Sequence, residues 1–316
     1  MALIPHSIRF HRHTALAAFT LLCLALIWPA CRRAAPPPVS RADRMRIVCL
    51  SPALTDVLLA LGLGDRIVGR DSYEEQLAED VPRVGDLMSV NLEAVLALRP
   101  TDVVLQSAKA GAPPRIEAIA QQQGWRFINL QIDTLSDVRH AVERLVNDLS
   151  FAGDDAILRP EIEDQADRLL AEMDLALAPM PAEVRERLGP IMLLYFTDPP
   201  AAFGPGSYLS DMLAALGGRN AVTGGAWQEL DLERVAAGKP WAIIAIKPGL
   251  NDAATARPEE SLGSVGRLDL ECVRAGRVAL LRHPQALLPG ASLIEVAGEL
   301  RSIMEALASP LESADQ

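Results

Sequence analysis

Lysine is almost missing from this 316-residue chain: Lys109, Lys239 and Lys247 are its only copies, and they build no basic patch. The arginines are scattered among carboxylates, and the formal net charge is -11. Phosphate backbones favour basic faces, so this balance excludes nucleic acid as the expected partner. Histidine is nearly as scarce. Beyond the N-terminal segment only His140 and His283 remain. Direct capture of zinc or manganese needs several converging His and carboxylate ligands, so no metal site is expected. His140, beside Arg139 in a helical stretch, reads as solvent-facing. Of four cysteines, Cys23 and Cys31 belong to the N-terminal segment, while Cys49 and Cys272 read as small core residues. No spacing between them supports a disulfide. The local signatures of catalysis are missing too: no nucleophile elbow, Walker loop or catalytic-cysteine pattern is present. Gly62-Leu63-Gly64 lies at a helix end and lacks the third glycine of a nucleotide loop. The expectation is a protein that is not an enzyme and holds no cofactor. An enzyme on a doubly wound sheet is the rival, because triads assembled in space leave no local motif.

What the chain does have begins with an export pattern. Arg9, His11, Arg12 and His13 give a basic start, and Thr14 to Ala30 is an almost wholly apolar run. That run is short for a membrane span and reads as a signal peptide over residues 1–30. Ala30-Cys31 resembles the cleavage site of a bacterial lipoprotein, in which the cysteine becomes lipid-modified; ordinary signal cleavage nearby is the alternative. Residues 31–45 hold Pro36-Pro37-Pro38 and no hydrophobic period, as in an extended tether.

Half of the residues are apolar, enough for a sizeable core. From Arg46 onward, short apolar runs alternate with amphipathic stretches. Ile47 to Leu50 reads as a buried strand, Ser51 as an N-cap and Pro52 as the first helical residue. The helix carries Val57, Leu58 and Leu61 and stops at Gly62, before a second strand from Arg66 to Gly69. This order predicts parallel pairing through right-handed crossovers.

An internal echo is the most informative feature. Leu54-Thr55-Asp56-Val57-Leu58-Leu59-Ala60-Leu61-Gly62 recurs as Leu209-Ser210-Asp211-Met212-Leu213-Ala214-Ala215-Leu216-Gly217. Asn91-Leu92-Glu93-Ala94-Val95 recurs as Asp231-Leu232-Glu233-Arg234-Val235, and each copy continues to a proline, Pro100 or Pro240, and then to a strand. Two echoes in one order predict two related α/β lobes, over 46–153 and 181–316. Between them, Leu158, Ile162, Ala166, Leu169, Leu170 and Met173 recur at helical spacing, so a connecting helix is expected over 154–180, starting near Pro160. The fold class is α/β: two doubly wound lobes, a long backbone helix, and a ligand cleft between the lobes.

These stretches resemble the helical-backbone (class III) periplasmic binding proteins that serve cobalamin, ferric-siderophore and haem importers. The resemblance runs over Arg46 to Tyr73, Val81 through Leu105, Gly217 to Ile246, Gly276-Arg277-Val278 and Pro289-Gly290. It implies an extracytoplasmic, lipid-anchored protein that delivers a corrinoid, ferric siderophore or haem to an ABC permease dimer. It places Tyr73, Leu87, Trp227 and the loop around His283 at the ligand. Leu87 stands where cobalamin binders of the class can place an aromatic. Phe203, in Phe203-Gly204-Pro205-Gly206-Ser207-Tyr208, is read either as a cleft residue or as part of a plain turn. The resemblance also makes Glu93 and Glu233 the docking acids for permease arginines. Each Glu alone is equally well explained by a helix dipole. A sensor or scavenger without a transporter would share the fold and cleft but need neither glutamate.

Overall fold

Four consecutive apolar residues, Ile47–Leu50, form the first strand (β1), buried along its whole length. The computed structural model describes residues 45–107, 111, 114–150, 159–250 and 257–309. The expected signal peptide, Cys31 and all of the expected tether except Met45 lie outside the described residues.

Ser51 and Pro52 take the positions their chemistry favours. The Ser51 hydroxyl accepts the Leu54 N–H at 3.2 Å, and Pro52 opens α1 (Pro52–Ala60). Gly62, at φ 73°, ends this helix in the left-handed region that glycine adopts without strain. There follow β2 (Ile67–Gly69), α2 (Leu92–Leu98), β3 (Asp102–Gln106), α3 (Pro114–Gln123), β4 (Arg126–Leu130) and α4 (Leu135–Ser150). The four strands are parallel in the order β2-β1-β3-β4. The backbone helix α5 spans Arg159–Ala176 and buries Ile162, Ala166, Leu169 and Met173 on one face. Leu158 lies outside the described residues.

The second lobe contains α6 (Ala182–Arg185), β5 (Pro190–Thr197), β6 (Pro200–Phe203), α7 (Tyr208–Ala215), β7 (Arg219–Asn220), β8 (Trp227–Glu229) and α8 (Leu232–Ala237). It closes with β9 (Ala242–Ile246), α9 (Glu271–Arg274), β10 (Val278–Leu281) and α10 (Leu293–Ala308). Its sheet runs β10-β9-β5-β6-β8, with β7 beside the start of β5. Strands β10, β9 and β5 are parallel, whereas β6 is antiparallel to both β5 and β8. The antiparallel ribbon has no counterpart in the first lobe, and it carries Trp227 of the cleft wall and the buried Phe203 beside it.

Both echoes fall on equivalent elements. The first covers α1 and α7, and Ser207 caps α7 as Ser51 caps α1. The second covers α2 and α8, where Asn91 and Asp231 accept the amides of Ala94 and Arg234. The likeness extends beyond the repeated letters. Arg99 and Lys239, each just before the shared proline, are the two non-glycine residues with positive φ among the described residues.

One core joins the two halves. Leu145, Ile162, Leu169, Met173, Leu213, Leu300 and Met304 belong to a single buried cluster that runs through α4, α5, α7 and α10. Each fully buried apolar side chain contributes about 1.5–3 kcal/mol, so separating the lobes along this seam would be costly.

The first echo also pins the interface. Asp56 on α1 reaches the start of α10: Ser292 donates its N–H to Oδ2 at 2.7 Å and its hydroxyl to Oδ1 at 2.8 Å. Its echo partner Asp211, on α7, accepts the N–H of Leu135 at the start of α4 at 3.3 Å. Each lobe thus caps a helix of the other through the same residue of the repeat. Asp56→Ala strands both Ser292 donors, and a loss of about 2–3 kcal/mol in unfolding free energy is expected. Urea unfolding followed by circular dichroism measures it; an unchanged midpoint would mean that water replaces the carboxylate without loss.

Candidate ligand-binding cleft

All four strands of the first lobe end at one cavity. β2 leads to Asp71, β1 to Leu50 and Ser51, β3 to Gln106 and Ser107, and β4 to Ile132 and Asp133. The cavity has a volume of about 490 Å³, within the range of sites for drug-sized ligands. Its opposite wall comes from the second lobe: Tyr208, Trp227 and the segment Leu287-Leu288-Pro289. The cleft is therefore at the carboxyl ends of parallel strands and between the lobes, as the alternation of elements implied.

Two aromatic plates face it. Tyr73 is 75% exposed, at the tip of a loop whose geometry is fixed from beneath. Asp71 Oδ1 accepts the Tyr73 N–H at 2.8 Å, Ser72 N–H donates to the Gly85 carbonyl at 2.9 Å, and Arg83 donates to the Ser72 carbonyl. Gly85 (φ 102°) has no room for a side chain, since a Cβ there would lie 2.1 Å from the Ser89 carbonyl oxygen. The tight turn it permits presents Leu87 and Met88 to the cleft, with Asp86 Oδ1 accepting the amides of Met88 and Ser89. Across the cavity Trp227 is 49% exposed and stands opposite Phe203 in the β6–β8 pairing, with ring centroids 4.6 Å apart. Tyr195 packs edge-on against Trp227 and tilted against Phe203, and Tyr208 meets Phe203 edge-on. The chain has 13 aromatic residues, four of them in this cluster with Tyr73 facing it, so aromatic surface is concentrated here.

The Tyr208 hydroxyl donates to the Ala286 carbonyl at 2.9 Å and holds the Leu287–Pro289 segment in place. Burial raises this phenol's pKa, so it stays protonated as a donor. Glu299 fixes the other end of that loop by accepting the amides of Arg282 and His283 at 2.7 and 2.9 Å.

Three carboxyl groups around the first-lobe side of the cleft have raised pKa values, each chiefly through burial: Asp56, Asp71 and Glu74. For Asp71 the neighbouring charge of Asp86 adds to the rise. The folded protein therefore holds these protons more tightly than the unfolded chain, whose carboxyls titrate near about 4. Their contribution to stability is complete below that value and is lost as pH rises through the raised values. Asp137 acts in the opposite sense. Burial raises it, but hydrogen bonds from the Thr134 hydroxyl and amide outweigh that and keep it low, so its contribution is lost only at still lower pH. Calorimetry should accordingly show a higher melting temperature at mildly acidic than at neutral pH, with a smaller difference in Asp56→Asn. A fall on mild acidification would contradict this.

The sequence model of the periplasmic binding protein family matches residues 47–143. A vitamin B12-binding protein of Vibrio cholerae is 33% identical over 102 residues, covering 32% of this chain and 36% of the relative. The chain thus spans about a third of the length of the first curated relatives it matches. An ABC transporter substrate-binding lipoprotein of Bacillus subtilis is 26% identical over 218 residues, 65% of this chain and 64% of the relative. Among solved structures, the periplasmic haem-binding protein RhuT from Roseiflexus, in apo form, superposes with a TM-score of 0.65 at 24% identity. It covers 84% of this chain and 99% of that one. The fold is that of a periplasmic binding protein. The resemblance read from the sequence therefore holds, by family match in the first lobe and by fold across both lobes and the backbone helix.

Within this binding-protein fold the expected site residues separate into groups. Tyr73, Leu87 and Trp227 come together in the cleft. Phe203 does not line it: at 0% exposure it lies between the β5 and β8 strands and backs the Trp227 indole. His283 is also outside the lining, its Nδ1 accepting the Gln285 N–H at 3.3 Å; the loop it starts reaches the cleft through Leu287 to Pro289. Met88, Asp71, Asp86 and Asp133 line the cavity without having been singled out. The available signal was their place just beyond strand ends or in the loop that carries Tyr73. Glu93 and Glu233 are exposed at equivalent first-turn positions of α2 and α8. Cys49 and Cys272 are free and buried, and burial pushes the Cys49 thiol up to about 12. His140 is exposed. Among the described residues there is no cluster of three or more metal-ligating side chains, and no helix is long and apolar enough to cross a membrane.

Proposed function

We propose that this chain is an extracytoplasmic substrate-binding protein that captures a corrinoid, ferric siderophore or haem and delivers it to an ABC importer. The observation that carries the reading is the cleft itself. It is a 490 Å³ cavity at strand ends, with Tyr73 offered by one lobe and Trp227 by the other. Two flat amphipathic faces on opposite walls suit the flat surface of a macrocycle or aromatic chelator. The shared core across the lobes favours a largely preformed site. The vitamin B12-binding and haem-binding relatives support the ligand class, and the Bacillus lipoprotein supports both transport and a lipid anchor. In this reading Glu93 and Glu233 dock on the permease dimer.

Titration calorimetry with cobalamin, haemin and several ferric siderophores tests the proposal, and one-to-one binding of at least one is expected. Tight binding of a sugar or amino acid, with none of the chelates bound, would sink it. The anchor has its own test. Mass spectrometry of the membrane fraction should show an acylated peptide beginning at Cys31, and a soluble protein starting at a later residue would reject it.

A further inference from the structure

We infer that the cleft selects chelates carrying no net negative charge. The inference rests on the reading of the cleft as a chelate site and narrows its ligand. Asp71, Asp86 and Asp133 line the cavity, while no lysine, arginine or histidine does so among the described residues. Asp71 and Asp86 come from the β2–α2 loop and Asp133 from beyond β4, and the structure spends only part of each on itself. Asp71 Oδ1 and Asp86 Oδ1 accept backbone amides, and Asp133 Oδ2 accepts the Gln131 side-chain amide at 2.6 Å. Asp71 is only 3% exposed, so its charge acts from a poorly hydrated position. Two cations lie behind this wall and outside the lining: Arg83 is held on the Ser72 carbonyl, and buried Arg70 donates to the Leu77 and Glu79 carbonyls. Lys109, two residues beyond Ser107, lies outside the described residues and would offset one of the three acids at most.

The opposite wall adds no compensating charge, since Tyr208, Trp227 and Leu287-Leu288-Pro289 are neutral. A ligand seated between the aromatic plates therefore meets lining charges of one sign. Each carboxylate about 10 Å away in a medium of intermediate dielectric changes the affinity for a unit charge by on the order of tenfold. Chelates with several negative charges, such as ferric tris-catecholates, are rejected several times over. Haem, with two propionates, is disfavoured. Neutral ferric trihydroxamates and corrinoids are admitted, and cationic corrinoids are attracted.

The test is calorimetric titration of the mature protein at two salt concentrations. The probes are cyanocobalamin, aquocobalamin (one positive charge more on the same macrocycle), a neutral ferric trihydroxamate, a ferric tris-catecholate and haemin. Expected are binding of a neutral or cationic probe, at least roughly hundredfold weaker binding of the tris-catecholate and haemin, and salt-weakened affinity for any cationic ligand. Asp71→Asn with Asp86→Asn keeps the acceptor oxygens and should narrow that gap by on the order of tenfold or more. Equal or tighter binding of the tris-catecholate or haemin overturns the charge rule and leaves the transport reading standing. Binding of no probe at all overturns both.

Discussion

Trp227→Ala is expected to weaken chelate binding by roughly 30- to 800-fold while leaving the fold intact. Large aromatic anchors in binding sites typically account for about 2–4 kcal/mol when truncated. Trp227 is placed to be such an anchor. Its indole is half exposed, lines the cleft and packs at a tilt against the buried Phe203 ring. Because Phe203 also packs on Tyr195 and Tyr208, the platform beneath should survive the loss of its outermost layer. The control is Trp227→Phe, which keeps a flat face and should recover most of the affinity. Calorimetry gives the affinity and thermal denaturation gives the fold. A large drop in melting temperature with unchanged affinity would make Trp227 a structural residue and remove it from the site.

The contrast between Trp227 and Phe203 shows what the sequence did and did not disclose. Local signals were legible because local physics sets them: Ser51 before Pro52, and a glycine at the end of α1. The lobes were legible because the chain repeats itself, and the repeat pointed to more than architecture. Asp56 and Asp211 are one position of the echo, and both reach across the interface to a helix start. The antiparallel β6–β8 ribbon was not legible. Phe203 precedes Gly204-Pro205-Gly206, which reads equally well as a turn, and only the pairing with β5 and β8 decides that its ring is covered. The acids of the cleft were hidden for a similar reason. Asp71, Asp86 and Asp133 look like ordinary loop residues until the β2–α2 loop and the segment after β4 converge. His283 itself stays outside the lining, because Glu299 and Tyr208 fix its loop so that Leu287 to Pro289 turn inward.

Loss of both lobe-tip acids should abolish most uptake without touching ligand affinity. Glu93 and Glu233 occupy the second position of short exposed helices, and each has an exposed leucine nearby, Leu96 at 39% and Leu232 at 37%. A charge beside accessible apolar surface is suited to an interface that is dry when formed. There, truncating one member of a desolvated charge pair costs about 2–5 kcal/mol, much of it from the partner left uncompensated. If the glutamates served only the helix dipoles, each would be worth about 0.3–1 kcal/mol of stability and nothing in transport. The two roles therefore separate by measurement. Glu93→Ala and Glu233→Ala should each reduce uptake and the double change should reduce it further, while calorimetry on the free protein stays the same. Reversal to Lys should be worse than Ala, because it would meet cationic permease residues with like charge. Neither acid lines the cleft, so a change in ligand affinity would have to come from altered folding, which the melting temperature reports. The decisive observation is uptake in a reconstituted system at limiting concentration of the binding protein. Normal uptake by the double mutant would return both residues to the helix-dipole role.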